Sequence, residues 1–298
     1  MDYIAGHFGG FPLRLSWLPR LIDRYASEGR VPSNLETVAC ELGVGKNMAK
    51  SMRAWARAAS LLHDDGCISG MAKRLFITHD PYLERGESVA LLHWLIASNF
   101  QRFTAGAWIF NILRGDAFTL ADAVSGFKDY LASKDANYAD GTIRGDMEPV
   151  LRMHTVASDG QEYDDRFFSQ LRLLTAKRVG SRSVYKRTWG HERSYVSEKL
   201  LSHALLRTLT ERATASSALS ELYMASGHRA APGTIFGFSR DGFFAAVERL
   251  DRIGCGDVSL STMPGEDALL TARTDLAQLC AANNTDAIDT WFFGDVPA

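Results

Sequence analysis

Three observations in the sequence predict a mostly α-helical, multi-domain chain with short β-hairpins, organised as repeated winged-helix-like (helix-turn-helix) units. Apolar residues recur at helical spacing through most of the chain. Ser, Thr and Asn stand where several of those helices would begin, and helical stretches close on short β-rich runs around glycines. No periodic repeat underlies the scheme, which rests on the order of elements alone.

The first segment, to about residue 85, holds the clearest unit. Asn34 can cap a short helix over "LETVACEL", Gly43 to Gly45 can make a tight turn, and a second helix follows at once in "KNMAKSMRAWARAASLL". On that helix Lys46, Lys50, Arg53 and Arg57 are spaced four, three and four apart and so share one face. Met48, Met52, Trp55, Ala59 and Leu62 form an apolar stripe on nearly the opposite side. No carboxylate occurs between Glu41 and Asp64, so the positive field is not locally cancelled. The "GVGK" within this stretch is not a phosphate loop: Cys40 stands where the first glycine is needed, Asn47 where the hydroxyl is needed, and the preceding segment is helical in spacing rather than a strand. Beyond it, a Gly-bearing turn in "HDDGCISG" and the β-rich "RLFIT" read as the hairpin of the unit, with Lys73 and Arg74 near its loop.

The second segment, 86–195, opens with two strongly apolar helices, "ESVALLHWLIAS" and "FTAGAWIFNIL". Two more follow, with Thr119 and Thr142 as expected N-caps, and then a basic hairpin around Gly180-Ser181. The third, 196–298, holds "SEKLLSHALLRTLTERA" and a helix started by Ser239 with Asp241. Residues 1–85 are therefore expected to form an N-terminal winged helix-turn-helix domain that binds DNA. Residues 86–195 would be a helical, winged-helix-like middle domain, and 196–298 a C-terminal winged-helix-like domain.

A net charge of −2 over 298 residues excludes a uniformly basic nucleic-acid coat, so any DNA contact comes from local patches. Two exist: the Lys46–Arg57 face, with Asn47 beside it, and the stretch from Arg166 to Arg193, which sets eight cations against one acid, Glu192. In that second patch Arg178, Arg182, Lys186 and Arg187 lie along the hairpin, where Tyr185 and Trp189 could pack against a nucleic-acid backbone. A charged edge strand protected from pairing is the alternative. Four widely spaced cysteines without a C-x-x-C pair suggest neither structural zinc nor a disulfide framework, and a reduced, cytoplasmic setting is expected. No apolar run of membrane-spanning length occurs. The apolar stretch from Val89 to Leu113 could serve as core or as the interface of a homodimer.

Motifs for chemistry are sparse. No nucleophile elbow, H-E-x-x-H or two-metal carboxylate pattern is present, and no nucleotide or haem cofactor is expected. His7 in a Gly-rich stretch and Asp146 at an expected helix start are the catalytic candidates, each with a structural alternative. His93, on an apolar helix, reads as a core histidine.

The run "GHFGGFPLRLSWLPR", then "GVGKNMAKSMRAWARAASLL", "LLHWLIASN", "AWIFN" and "TIRGDMEPVLRMH" resembles a bacterial family catalogued as a domain of unknown function and linked to DNA phosphorothioation. The resemblance spans roughly residues 3 to 260. It is nearest to the DNA-nicking component, which works with a cysteine desulfurase, an ATPase and an ATP-pyrophosphatase-like reductase. It implies double-stranded DNA as substrate, a nicking endonuclease activity that opens one strand for sulfur incorporation, and Mg²⁺ or Mn²⁺ as cofactor. Where the family usually carries Gly-His-Glu, this chain has Gly6-His7-Phe8, so a role for that acid does not transfer. A non-catalytic winged-helix adaptor or transcriptional regulator remains the alternative.

Overall fold

The structure, a computed structural model, describes residues 8–156, 166–224, 227, 229–254, 257–262 and 267–294. His7 and the acids of the 159–165 stretch lie outside them. The chain divides into two compact units, Met1–Thr188 and Trp189–Ala298.

The first unit begins with three helices, α1 (Trp17–Tyr25), α2 (Leu35–Leu42) and α3 (Lys46–Ala58). Asn34 caps α2 by accepting a hydrogen bond from the Glu36 N–H at 2.8 Å, and Gly43 ends it at φ +62°, a left-handed conformation that costs glycine little. The turn into α3 is therefore set by local chemistry, as expected. The apolar stripe of α3 is core: Met52, Trp55 and Ala59 are fully buried, Leu62 nearly so, and only Met48 is half-exposed.

The expected hairpin in this segment is not what forms. An isolated antiparallel bridge, Leu62 with Ile68, closes the Asp64–Gly66 turn, and a second joins Cys67 to Arg30. Ser69 then caps α4 (Gly70–Lys73), which runs on as a wider, π-type turn over Arg74–His79, so "RLFIT" is helical and Lys73 and Arg74 lie on a helix rather than a wing. Met71, Ala72, Leu75 and Phe76 are all buried. Their spacing is helical, and that periodicity outweighs the β-propensity of Phe-Ile-Thr.

Helices α5 (Gly86–Ala97) and α6 (Thr104–Asn111) are buried along almost their whole length, which makes the apolar Val89–Leu113 stretch the core of this unit. The Asn111 amide donates to the Ala97 and Ala107 carbonyls at 3.1 and 2.8 Å, tying the two helices together. Strand β1 (Ala117–Thr119), α7 (Leu120–Ala132), α8 (Asp140–His154), a 3-10 turn (Phe167–Leu171), and strands β2 (Leu174–Val179) and β3 (Arg182–Arg187) complete the unit. Thr119 and Asp122 form a reciprocal capping box at the start of α7. Thr142 is not a cap, because α8 starts a turn earlier at Asp140. The sheet is antiparallel, in the order β1-β3-β2.

The second unit follows a similar order, with one more short helix between its first strand and its hairpin. Helix α9 (Glu198–Glu211) leads to β4 (Ser216–Ala218), α10 (Leu219–Tyr223), α11 (Pro232–Ile235), α12 (Arg240–Ile253) and the strands β5 (Val258–Ser261) and β6 (Leu269–Ala272). Its sheet order, β4-β6-β5, again places the first short strand beside the last. Ser239 caps α12 through the Gly242 N–H at 3.2 Å, as expected. Two helices, α13 (Thr274–Ala281) and α14 (Thr285–Phe293), close the unit. Asp289 of α14 is buried against α9, accepting hydrogen bonds from His203 Nε2 at 2.8 Å and Arg207 Nη1 at 3.1 Å. Among the described residues the molecule is thus mostly helical with two small antiparallel sheets.

Candidate nucleic-acid interface

The cations of α3 share a face, but they are not alike. Lys46 pairs with Glu36 at 2.9 Å, and Asn47 stays exposed beside it. Arg53 is half-buried and donates to the Ser33 carbonyl at 2.7 Å, while Arg57 donates to the Asp64 carbonyl at 3.1 Å. Burial, then repulsion from Arg57, pulls the Arg53 guanidinium below its ordinary pKa. Lys50 is exposed, with no hydrogen-bond partner among the described residues. Beside these side chains lies a cavity of about 320 Å³, lined by Lys50, Arg53, Arg57 and Arg102 together with the apolar Phe8, Leu35 and Ala54. Arg102 was not legible as part of this face, since it joins from a loop far along the chain. It chelates both Asp64 carboxylate oxygens at the turn after α3.

In the hairpin, strand pleating sorts the cations. Thr175 faces Lys186, Lys177 faces Val184 and Val179 faces Arg182, so Lys177, Arg182 and Lys186 point to one side of the sheet. All three are exposed. The opposite side carries the buried Leu174 and Phe118, the latter stacked on Tyr185 at 5.8 Å between ring centres. Arg178 belongs to that side by register but lies near the turn, where it is exposed. Arg187 does not reach solvent: it is 6% exposed and donates to the Phe110 and Leu113 carbonyls at 3.0 and 3.4 Å. The alternation that makes Lys186 a surface cation makes Arg187 a core one, so its expected contact with DNA is withdrawn. Lys177 takes its place, and its parity with Arg182 and Lys186 was available once the turn was placed at Gly180-Ser181.

The catalytic candidates fare differently. Asp146 lies in the second turn of α8, not at its start, and is 2% exposed. Among the described residues no group of three or more His, Cys, Asp or Glu side chains could hold a metal ion. His93 is a core histidine, its Nδ1 lying 3.0 Å from His154 Nε2, while His154 Nδ1 lies 2.8 Å from the Val150 carbonyl. A proton on His154 Nδ1 satisfies that carbonyl, which leaves Nε2 to accept from His93.

Burial and the neighbouring His93 hold the His154 imidazole well below its usual pKa of 6.5. Burial likewise lowers His203, with Asp289 pulling the other way. The unfolded imidazoles gain protons below about pH 6.5 that the folded ones refuse. Stability is then lost as pH falls, by up to about 1.4 kcal/mol per pH unit for each imidazole. Urea unfolding between pH 7.5 and 5.5 is expected to show that fall, and the His154→Phe variant a shallower one. An identical slope in the variant would remove His154 as its source.

Among the described residues the fold and these faces define a mostly helical protein with a small antiparallel sheet in each unit, and with cations gathered on one helix face and one hairpin face. The chain belongs to the family described as "Protein of unknown function (DUF4007)", whose model matches residues 5–283. It is similar in fold to two solved structures, "SspB crystal structure" and "Magnesium ion-bound SspB crystal structure". Each is 22% identical with a TM-score of 0.73, over 96% of this chain and 88% of that one. Among curated proteins none matches the chain. No helix among the described residues is long and apolar enough to cross a membrane.

Proposed function

We propose that the protein is a DNA-binding component of a bacterial DNA phosphorothioate modification system, nicking one strand so that sulfur can be incorporated. The observation that supports DNA binding best is the solvent side of the β2–β3 hairpin, where Lys177, Arg182 and Lys186 stand together on an otherwise acidic chain. The order α6, β1, α7, α8, β2, β3 with sheet order β1-β3-β2 supports a winged-helix reading of this part, with the hairpin as the wing. Helix α8 mixes Asp140, Arg144, Glu148 and Arg152, with Arg144 paired to Glu148 at 2.9 Å. The hairpin, rather than α8, is therefore the phosphate-contacting element here. The helix-turn-helix of α2 and α3 and the corresponding order in the second unit complete three modules.

Replacing Arg182 and Lys186 together by Glu is expected to weaken binding to duplex DNA and to flatten its salt dependence by roughly 0.9 per lost phosphate contact. Both residues are exposed, so the melt should move by no more than about 0.5 kcal/mol. Unchanged affinity at physiological salt would reassign this face to edge protection or to a protein partner.

Nicking, and association with a cysteine desulfurase, an ATPase and an ATP-pyrophosphatase-like reductase, rest on the family resemblance and the likeness of fold to SspB. The one neighbour described as magnesium-bound suggests a divalent cation. Among the described residues no group of three or more His, Cys, Asp or Glu side chains gathers to hold it. The burial of Asp146 favours a second reading, a non-catalytic DNA-binding adaptor. Incubation with supercoiled plasmid and Mg²⁺ or Mn²⁺ separates the two. Open circles support the nickase; tight binding without them supports the adaptor.

A further inference from the structure

We propose that the cavity beside α3 is a binding site for the terminal phosphate monoester of a nucleotide, either free or at the end of a DNA strand. The proposal rests on reading α3 as part of the nucleic-acid interface and names what this part of it takes. Four cations, Lys50, Arg53, Arg57 and Arg102, converge on the cavity, and no carboxylate lines it. Asp64, at the turn after α3, is engaged by Arg102. Arg53 and Arg57 are already held in place by backbone carbonyls, so little side-chain freedom remains to be lost on binding an anion.

The charge selects among anions. A phosphodiester carries one negative charge, whereas a terminal monoester carries about −1.5 to −2 at neutral pH and presents three acceptor oxygens. Several cations gathered without a lining acid suit the second better, and arginine forks match its geometry. The volume selects further. At about 320 Å³ the cavity lies at the lower end of small-molecule sites, too large for a phosphate alone, and Phe8, Leu35 and Ala54 give it an apolar side. A phosphate with a nucleoside attached uses both surfaces. This is not a phosphate loop: the donors are side chains on a helix face, and the "GVGK" glycines do not line the cavity.

The test is calorimetric titration of the full-length protein with thymidine 5′-monophosphate, thymidine, inorganic phosphate, and a ten-nucleotide oligothymidylate with and without a 5′-phosphate. Duplex DNA binding is measured in parallel. Thymidine 5′-monophosphate is expected to bind at least ten-fold tighter than thymidine or inorganic phosphate. Tighter binding of the phosphorylated oligonucleotide than of the mononucleotide would identify a strand end as the source, and the reverse order a free nucleotide. Lys50→Ala should weaken the interaction roughly ten-fold. Ala54→Phe, which fills the cavity while keeping all four cations, should abolish it with the melt unchanged, since Ala54 is half-exposed. Equal affinity for inorganic phosphate and the nucleotide overturns the proposal, as does ligand binding undiminished in Ala54→Phe. If no phosphate ligand binds while duplex DNA does, the cavity proposal falls and the interface reading stands; nucleotide binding without duplex binding has the opposite meaning.

Discussion

Trp55→Ala is expected to destabilise the first unit by roughly 3–5 kcal/mol, the range for emptying a large buried aromatic site. Trp55 is fully buried, its ring centre lies 4.1 Å from that of Phe8 and 4.8 Å from that of Phe103, and its indole N–H donates to the Phe11 carbonyl at 3.1 Å. The Ser51 hydroxyl, on the same helix, donates to the Phe8 carbonyl at 2.9 Å. Truncation therefore opens a cavity, orphans the Phe11 carbonyl and loosens the 8–11 segment from α3. Trp55→Phe keeps a ring in the cluster but loses the donor, so a smaller loss is expected. Urea unfolding followed by circular dichroism measures both. A wild-type midpoint for Trp55→Ala would mean that α3 packs on a different face from the one described.

Asp289→Ala is expected to cost the second unit a comparable 3–5 kcal/mol, for a different reason. The carboxylate is 4% exposed and engages Arg207 Nη1 through both oxygens at 3.1 Å while holding His203 Nε2 at 2.8 Å. Arg207 is itself only 8% exposed. Removing the acid leaves the buried guanidinium with only the longer, 3.8 Å pairing to Glu211 as counter-charge, which is the costly way to break such a pair. Replacing the set by packed apolar residues could be neutral, so the expected loss reports isolation of the charge rather than the net worth of the pair. Hydrogen exchange should show α14 opening first, because Asp289 is its buried polar tie to α9. Protection of α14 equal to wild type would place the helix's anchorage in its apolar contacts, Ile288 and Phe292. The pKa of Asp289, lowered by Arg207 and His203 against the opposing effect of burial, agrees in direction with an ionised partner.

What could be read from the sequence was what local chemistry decides. Asn34, Thr119 and Ser239 cap helices because a side-chain oxygen reaches an N–H two or three residues on, and no distant contact is needed. The β2–β3 hairpin was legible because Gly180 takes φ +61° in a two-residue turn between β-forming runs. The errors lie where long-range packing decides. "RLFIT" has strand propensity but enters the core on a helical spacing, and the start of α8 at Asp140 has no side-chain cap to announce it. Arg187 was counted with the surface cations because its neighbours in sequence are exposed, while its partners at and just past the end of α6 are more than seventy residues away. The cavity beside α3 was illegible for the same reason, since Arg102 and Phe8 come from opposite sides of the helix in sequence.

The seating of Arg187 fixes more than its own position. Its guanidinium rests on carbonyls at the C-terminal end of α6, where the helix dipole favours a cation. A slip of one residue along the hairpin would turn that side chain outward and drive Lys186 into the core. The buried arginine thus works as a register pin, holding the orientation of the charged side without belonging to it. Lys177, Arg182 and Lys186 are left free of any scaffolding duty, so each can be exchanged for another residue while the hairpin stays in frame. The molecule separates the problem of aiming a surface from the problem of choosing what it displays.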